Sequence, residues 1–238
     1  MDVNKADYFE VPNLIYKTNT VIVIDHHLQS GDKIDNLTLL YHEPTASSAS
    51  EMVSEIIQYI ADDVKLKKIE AESLYAGILI DTNYFAKNTG VRTFEAAAFL
   101  KKNGVDVAKV NRLFNDSMDE VVAKADAIRT TEVIGGKYAI AVCPPHDLGN
   151  PSIIAAQVAN DLLDVQGIVG SFVLVDFAGK VYISARSTGD VNVQLVMERM
   201  GGGGHMNTAG AQIVGADPED VKKKVKFTIK KMIEEGVL

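Results

Sequence analysis

The sequence predicts an α/β protein, with a parallel sheet flanked by helices in its first half and a smaller α+β domain in its second. Three observations carry this. Residues 20–24 (TVIVI) are a β-branched run, of the kind that fills a parallel strand buried on both faces. Helical patterns dominate the next ninety residues. Beyond a polar stretch at 117–129, short strand pairs with glycine turns alternate with helices. At 238 residues the chain has room for two domains of about 100–200 residues each.

The opening reads as irregular up to Tyr16. The strand at 20–24 ends in Asp25-His26-His27, and residues 37–41 form a second strand candidate. A helix follows, capped near Ser47 or Ser48. Met52, Val53, Ile56, Ile57 and Ile60 recur on one face, and Ser48 with Glu51 fits a capping box. Residues 70–80 are a largely apolar, buried helix that runs into Asp81-Thr82-Asn83. Residues 93–103 are a helix with Thr93 as a possible cap and Gly104 as its stop. Residues 106–115 close the helical set, and 117–129 read as a linking helix. A hairpin at 131–134 and 138–142 turns on Gly135-Gly136. Pro151 suits the first turn of a helix over 152–163. A second hairpin, 171–177 and 180–185, turns on Ala178-Gly179. Residues 192–200 are a helix leading into 201–205 (GGGGH), and 218–234 a final helix with a basic face.

Composition narrows the function. The formal charge is −8 and the isoelectric point about 5.1. Duplex nucleic acid is bound largely through lysine and arginine neutralising phosphates, so it is not an expected partner. Phosphate chemistry here has to be local, run by metal ions or a few placed cations. One cysteine, Cys143, excludes intrachain disulfides and cysteine zinc clusters; it reads as a buried strand residue in a reducing, cytoplasmic setting. No apolar run reaches the roughly 18 residues of a membrane span, so no membrane contact is expected.

Two motifs bear chemistry. Asp25-His26-His27 ends an apolar strand, the edge where ligands sit in open α/β sheets, so one imidazole can meet a metal while the other meets substrate. The alternative is a polar surface turn. Gly201, Gly202, Gly203 and Gly204 before His205 let the backbone approach a ligand and form an anion nest; the alternative is a flexible linker. Asp81 follows an apolar helix and needs a partner, which a metal or its own backbone could supply. Arg186 at a strand end and Arg92 at a helix start could each match phosphate oxygens, or form surface salt bridges. His42 and His146 read as structural or exposed, and Lys222-Lys223-Lys224 as a solvated helix face.

With Asp25-His26-His27 and GGGGH together, the chain resembles the DHH/DHHA1 phosphoesterases over essentially its whole length. Glu43-Pro44-Thr45-Ala46-Ser47-Ser48, Gly77-Ile78-Leu79-Ile80-Asp81-Thr82 and Arg92-Thr93-Phe94-Glu95-Ala96-Ala97 look like the GdpP-type cyclic-di-AMP phosphodiesterases. Asp2-Val3-Asn4 resembles the start of their second metal motif. The resemblance implies that residues 1–116 are the C-terminal part of a DHH domain, 117–129 a linker helix and 130–238 a DHHA1 domain. It implies Asp2, His26 and Asp81 as metal ligands, and His27 at the scissile phosphate beside His26. Arg186, Ser187, Arg92 and the loop Gly202, Gly203, Gly204 and His205 would bind substrate. The substrate would be a cyclic dinucleotide or short oligonucleotide.

The family's first motif, His-x-x-x-Asp-x-Asp, is absent, since none of the five histidines has aspartates at +4 and +6. The resemblance therefore implies an N-terminally truncated fragment of a membrane-anchored protein. Where the intact family holds two Mn²⁺, at most one is expected here, with weak or no turnover. An open sheet edge makes a homodimer or an exposed apolar patch a further expectation. The alternatives are a nanoRNase/pAp-phosphatase of the same superfamily, and a nucleotide-binding module without catalysis.

Overall fold

The computed structural model describes residues 1–5, 11–27, 34, 36–60, 64–144 and 150–238. The chain divides into two compact units, Met1–Asn115 and Asp116–Leu238. Among the described residues, no helix is long and apolar enough to cross a membrane. His146 lies outside the described residues.

In the first unit a 3₁₀ helix, Pro12–Lys17, occupies part of the stretch expected to be irregular. Strands β1 (Ile22–Asp25) and β2 (Leu39–His42) pair in parallel, with Asp25 opposite His42. Burial on β1 alternates. Val21, Val23 and Asp25 are buried, while Ile22 is 55% exposed, as are Leu39 (51%) and Leu40 (43%) on β2. The expected burial on both faces is therefore wrong for this strand: the described residues cover one face and leave the other apolar and open.

Helix α1 (Ala49–Ile60) is held at its start by Ser48, whose Oγ accepts from the Glu51 amide at 3.0 Å. The Glu51 carboxylate accepts from the hydroxyl and amide of Ser47, not from Ser48, so the expected capping box is only half formed. Helix α2 (Lys68–Asp81) buries Ala71, Tyr75, Ile78 and Leu79 but exposes Ile69 and Ile80, so it is amphipathic in contact rather than wholly buried. Helix α3 (Val91–Lys102) starts two residues before the expected Thr93. Thr93 sits at the third helical position, where its hydroxyl accepts from the Gly90 amide. Helix α4 (Val107–Asn111) is capped by Asp106 and continues as a 3₁₀ turn, Arg112–Phe114. The core of this unit joins α2 to α3 through Ile78, Leu79, Ala96, Leu100 and Val110.

In the second unit, helix α5 (Met118–Arg129) packs on helix α6 (Pro151–Leu163) and strand β4 (Tyr138–Cys143). The remaining elements are β3 (Glu132–Ile134), β5 (Gly170–Phe177), β6 (Lys180–Ser187), α7 (Val193–Arg199), β7 (Gly203–Gly204), β8 (Thr208–Val214) and α8 (Pro218–Glu234). The six strands run in the order β3-β4-β5-β6-β8-β7, with β4 and β5 parallel across the α6 crossover and all other pairs antiparallel. Ala178 and Gly179, both left-handed, turn β5 into β6. Alternation along β5 splits the core: Phe172 and Leu174 face α7 and α8, while Val173 and Val175 face α5 and α6. Cys143 is buried, and burial raises its thiol to about 11.

The glycine run is part of this sheet. A Cβ on Gly202 would lie 2.1 Å from the Gly210 carbonyl oxygen, whereas one on Gly203 would meet nothing within 4 Å. G202A should therefore destabilise the fold by about 1–3 kcal/mol through overpacking, while G203A should stay within about 0.5 kcal/mol of the parent. Urea denaturation of the two variants checks this contrast.

Lys222 is not on a solvated face: it is buried and reaches Glu132 at 2.9 Å, where Lys226 also pairs, tying α8 to β3. Hydrogen bonds from Lys226 and Lys222 lower the Glu132 carboxyl from 4.5 to about 2. A depressed carboxylate stabilises the fold above its ordinary value and loses that contribution as the pH falls toward its folded value. E132Q should melt below the parent at pH 7, and the gap should close between about pH 5 and pH 2, as thermal melts across that range will show.

Candidate metal and phosphate site

The end of β1 is clamped by its neighbours. The Glu43 amide donates to the Asp25 carbonyl at 3.0 Å, and His42 Nε2 lies 2.6 Å from the His27 carbonyl. Asn4 Nδ2 donates to the same carbonyl at 3.3 Å. Asp2 is fixed beside β1 by its amide, which donates to Ile24 O at 2.8 Å, and takes a left-handed φ of 64°.

These contacts bring three side chains together. His26 Nε2 lies 3.3 Å from Asp2 Oδ1 and 3.8 Å from Asp81 Oδ2. His26 Nδ1 lies 3.2 Å from Ala46 O, an acceptor only, so Nδ1 carries the ring's proton. In the neutral ring Nε2 is then a bare lone pair aimed at two carboxylates. Three acceptors facing one point repel unless a cation lies between them, and a carbonyl-held imidazole with carboxylates is a donor set suited to a hard or borderline divalent ion. The residues thus fit a metal.

His27 is arranged differently. Its Nδ1 is 2.8 Å from Asp25 Oδ1, which also accepts from the His27 amide at 3.0 Å. Asp25 is fully buried, and its Oδ2 has no hydrogen-bond partner among the described residues. Burial pushes the Asp25 carboxyl up, but the amide, ring and charge of His27 outweigh it and hold the group below the ordinary carboxylate range. An ionised Asp25 fixes the proton on His27 Nδ1 and turns Nε2 outward on a side chain 58% exposed. Asp2, His26 and His27 can each offer an atom within 4.8 Å of the others. Because His27 Nδ1 is already committed to Asp25, Asp81 is the better third ligand to a shared ion.

Asp81 ends α2. Burial, then the negative charge of Asp2, raises its carboxyl, against the pull of His26 and His27. The chain leaves it through three consecutive left-handed residues, Asn83, Tyr84 and Phe85. Buried Thr82 secures this turn, donating to Ile78 O at 2.6 Å and accepting from the Phe85 amide at 2.9 Å. A pocket of about 490 Å³ opens beside His26 and His27, lined by Thr45, Ser47, Asn88 and Thr89 among others.

Arg92 is not part of this cluster. Its guanidinium makes two hydrogen bonds to Glu55, at 2.7 and 2.6 Å, and stands 3.6 Å from Glu43. In the second unit, Arg186 and Gly202 line a cleft of about 520 Å³. Arg186 has no carboxylate partner among the described residues; its one hydrogen bond is to Ala185 O, and burial lowers its pKa. The Ser187 hydroxyl donates to Val191 O and accepts from the Gly189 amide. Gly203 and Gly204 pair with Gly210 and Ala209, and His205 is exposed on the turn that follows. Residue reasoning did not find Asp25 and His42 as supports of the two histidines. Nor did it find β8, whose Ala-Gly-Ala at 209–211 lacks the β-branched signal of a strand.

The pattern of the DHH family, N-terminal domain, matches residues 1–78, and that of the DHHA1 domain matches residues 135–235. The cyclic-di-AMP phosphodiesterase GdpP of Geobacillus thermodenitrificans is 38% identical over 237 residues, covering 99% of this chain and 36% of that protein. The cyclic-di-AMP phosphodiesterase PdeA of Listeria monocytogenes is 34% identical over 226 residues, covering 94% of this chain and 34% of that protein. The chain thus spans about a third of the length of these relatives. A solved exopolyphosphatase-related protein from Bacteroides fragilis superposes with a TM-score of 0.83 at 22% identity, over 98% of this chain and 72% of that one, which establishes the shared fold.

D25N should release the His27 ring. Nitrogen NMR of the imidazoles at alkaline pH should show the Nδ1–H form for His27 in the parent and a shift toward Nε2–H in the variant; unchanged spectra would contradict the role given to Asp25.

Proposed function

Since the chain belongs to the DHH/DHHA1 family, we propose that it carries the hydrolytic chemistry of a metal-dependent phosphodiesterase that opens cyclic di-AMP to pApA. The observation that carries this reading is the convergence of Asp2 and Asp81 on His26 Nε2, with His27 alongside. Asp2, His26 and Asp81 would hold one divalent ion, for which manganese suits the mixed carboxylate and imidazole donors. Such an ion, when bound, supplies Lewis-acid polarisation of a phosphoryl oxygen and activation of water.

The protein's own groups then divide the work. His26 is oriented by Ala46 O and presents a bare Nε2. Asp25 orients His27 through Nδ1, so that its Nε2 holds or releases a proton at the phosphodiester. Water adds across one P–O3′ bond: the phosphorus keeps the new oxygen, and the ribose oxygen leaves with a proton, for which His27 is the placed donor. In the second unit, Arg186 and the backbone around Gly201 and Gly202 would take a phosphate, since a half-buried guanidinium with no carboxylate partner among the described residues is suited to bidentate phosphate binding. Gly203, Gly204, His205 and Ser187 would complete the substrate-binding loop. Arg92, paired to Glu55, would support the site rather than bind substrate.

The test is incubation with cyclic di-AMP and with pApA in the presence of Mn²⁺, followed by chromatography. Accumulation of pApA, lost in H26A and D81N, is the expected result, at low turnover because the ligand set supports one ion. Calorimetric titration with Mn²⁺ should give about one site, abolished in the same variants. Release of AMP from pApA without action on cyclic di-AMP would favour the nanoRNase reading. Binding of pApA without any turnover would favour a nucleotide-binding module.

A further inference from the structure

We propose that Gln212 reads the base of an adenine nucleotide lying in the second unit's cleft, an inference that rests on the reading of that cleft as a phosphate-binding site. The register places it. Strands β6 and β8 pair Tyr182 with Gln212, Ser184 with Gly210, and Arg186 with Thr208. Tyr182, Ser184 and Arg186 alternate with buried Val181, Ile183 and Ala185, so they share the open face of the sheet with Gly210 and Gln212.

The two ends of this face differ in chemistry. Arg186 is the one charged side chain among the described residues that line the cleft, in a chain of net charge −8. It marks the end that draws an anion. Four residues of strand, about 13 Å, separate its register from that of Gln212. A nucleotide can bridge that span with its phosphate at the guanidinium and its base edge at the amide.

Between the ends the floor is flat. A Cβ on Gly202 would strike the Gly210 carbonyl and one on Gly210 would lie 2.9 Å from Ile183 O, so both stay bare, and Ser184 is the small residue beside them. Tyr182 supplies an aromatic wall. A planar ring can lie on such a floor, and the volume is within the range of small-molecule sites.

Gln212 is exposed, and its amide has no partner among the described residues. An amide offers one donor and one acceptor in a plane. Adenine matches it with its N6 amino group and N7; the corresponding edge of guanine presents two acceptors, O6 and N7, and leaves the amide oxygen facing one of them.

Calorimetry on the whole chain at fixed salt, with a chelator present to keep metal-held phosphate out of the signal, tests this. The ligands are 5′-AMP, 5′-GMP and ribose 5-phosphate. The parent should bind AMP at least about tenfold more tightly than GMP. Q212M, similar in volume and on an exposed position, should keep the parent's melting temperature and its affinity for ribose 5-phosphate while losing the AMP preference. R186M should weaken all three ligands. If R186M weakens binding but Q212M retains the adenine preference, the assignment of Gln212 is wrong while the phosphate site stands. If R186M changes nothing, or none of the ligands binds, the phosphate site and the base assignment fail together.

Discussion

The first unit is organised around an electrostatic conflict at the carboxyl end of β1. Three aspartates, at 2, 25 and 81, and two imidazoles meet within a few ångströms, and their environments separate them. Asp25 is fully buried but receives an amide and a ring N–H, so it stays ionised. Asp81 receives no comparable donor among the described residues, and burial together with the charge of Asp2 raises its carboxyl. One oxygen of Asp25 is satisfied by the fold, whereas Asp2 and Asp81 face each other across His26. That imbalance supports the proposed reading of the cluster as a cation site.

Local backbone strain supports the same arrangement. Asp2 and the run Asn83, Tyr84 and Phe85 are left-handed without being glycine, on the order of 1 kcal/mol each. The surroundings over-determine the turn after α2. Thr82 bonds on both sides of it, and Phe85 packs against the rings of Tyr75 and Phe94. The second unit solves its problem in another way. It builds a concavity on a sheet face, where α6 leaves part of β6 and β8 uncovered, and at Gly202 and Gly210 it uses glycine to bring backbones together.

Most elements were legible because their signals are local. The helices at 49–60, 151–163 and 218–234 carry an apolar face, a proline at the first turn, or both, and each hairpin is announced by glycine. Strand β8 was not legible, since alanine and glycine earn their place there by close packing rather than by β propensity. Within the site, the meeting of Asp2, His26 and Asp81 came from the family resemblance, and no spacing rule joins residues so far apart. The support from Asp25 and His42 depends on strand register, which a one-residue slip would erase. Lys222 shows the opposite failure: a basic run looks solvated in sequence, yet its first member packs under Glu132.

Arg92 is a motif residue whose guanidinium is already engaged by carboxylates. A phosphate at its guanidinium would have to displace Glu55, already held through two hydrogen bonds, in the presence of Glu43. The same pairing joins α3 to α1 and to Glu43. The Glu43 carbonyl in turn accepts from the Ala46 amide, and the Ala46 carbonyl orients His26. A continuous set of contacts therefore runs from the start of α3 to the imidazole that faces Asp2 and Asp81. Of its members, those at 43, 46 and 92 sit in segments that resemble the family, and Glu55 joins them from α1. Those segments therefore bear on the site through the geometry they impose on one histidine.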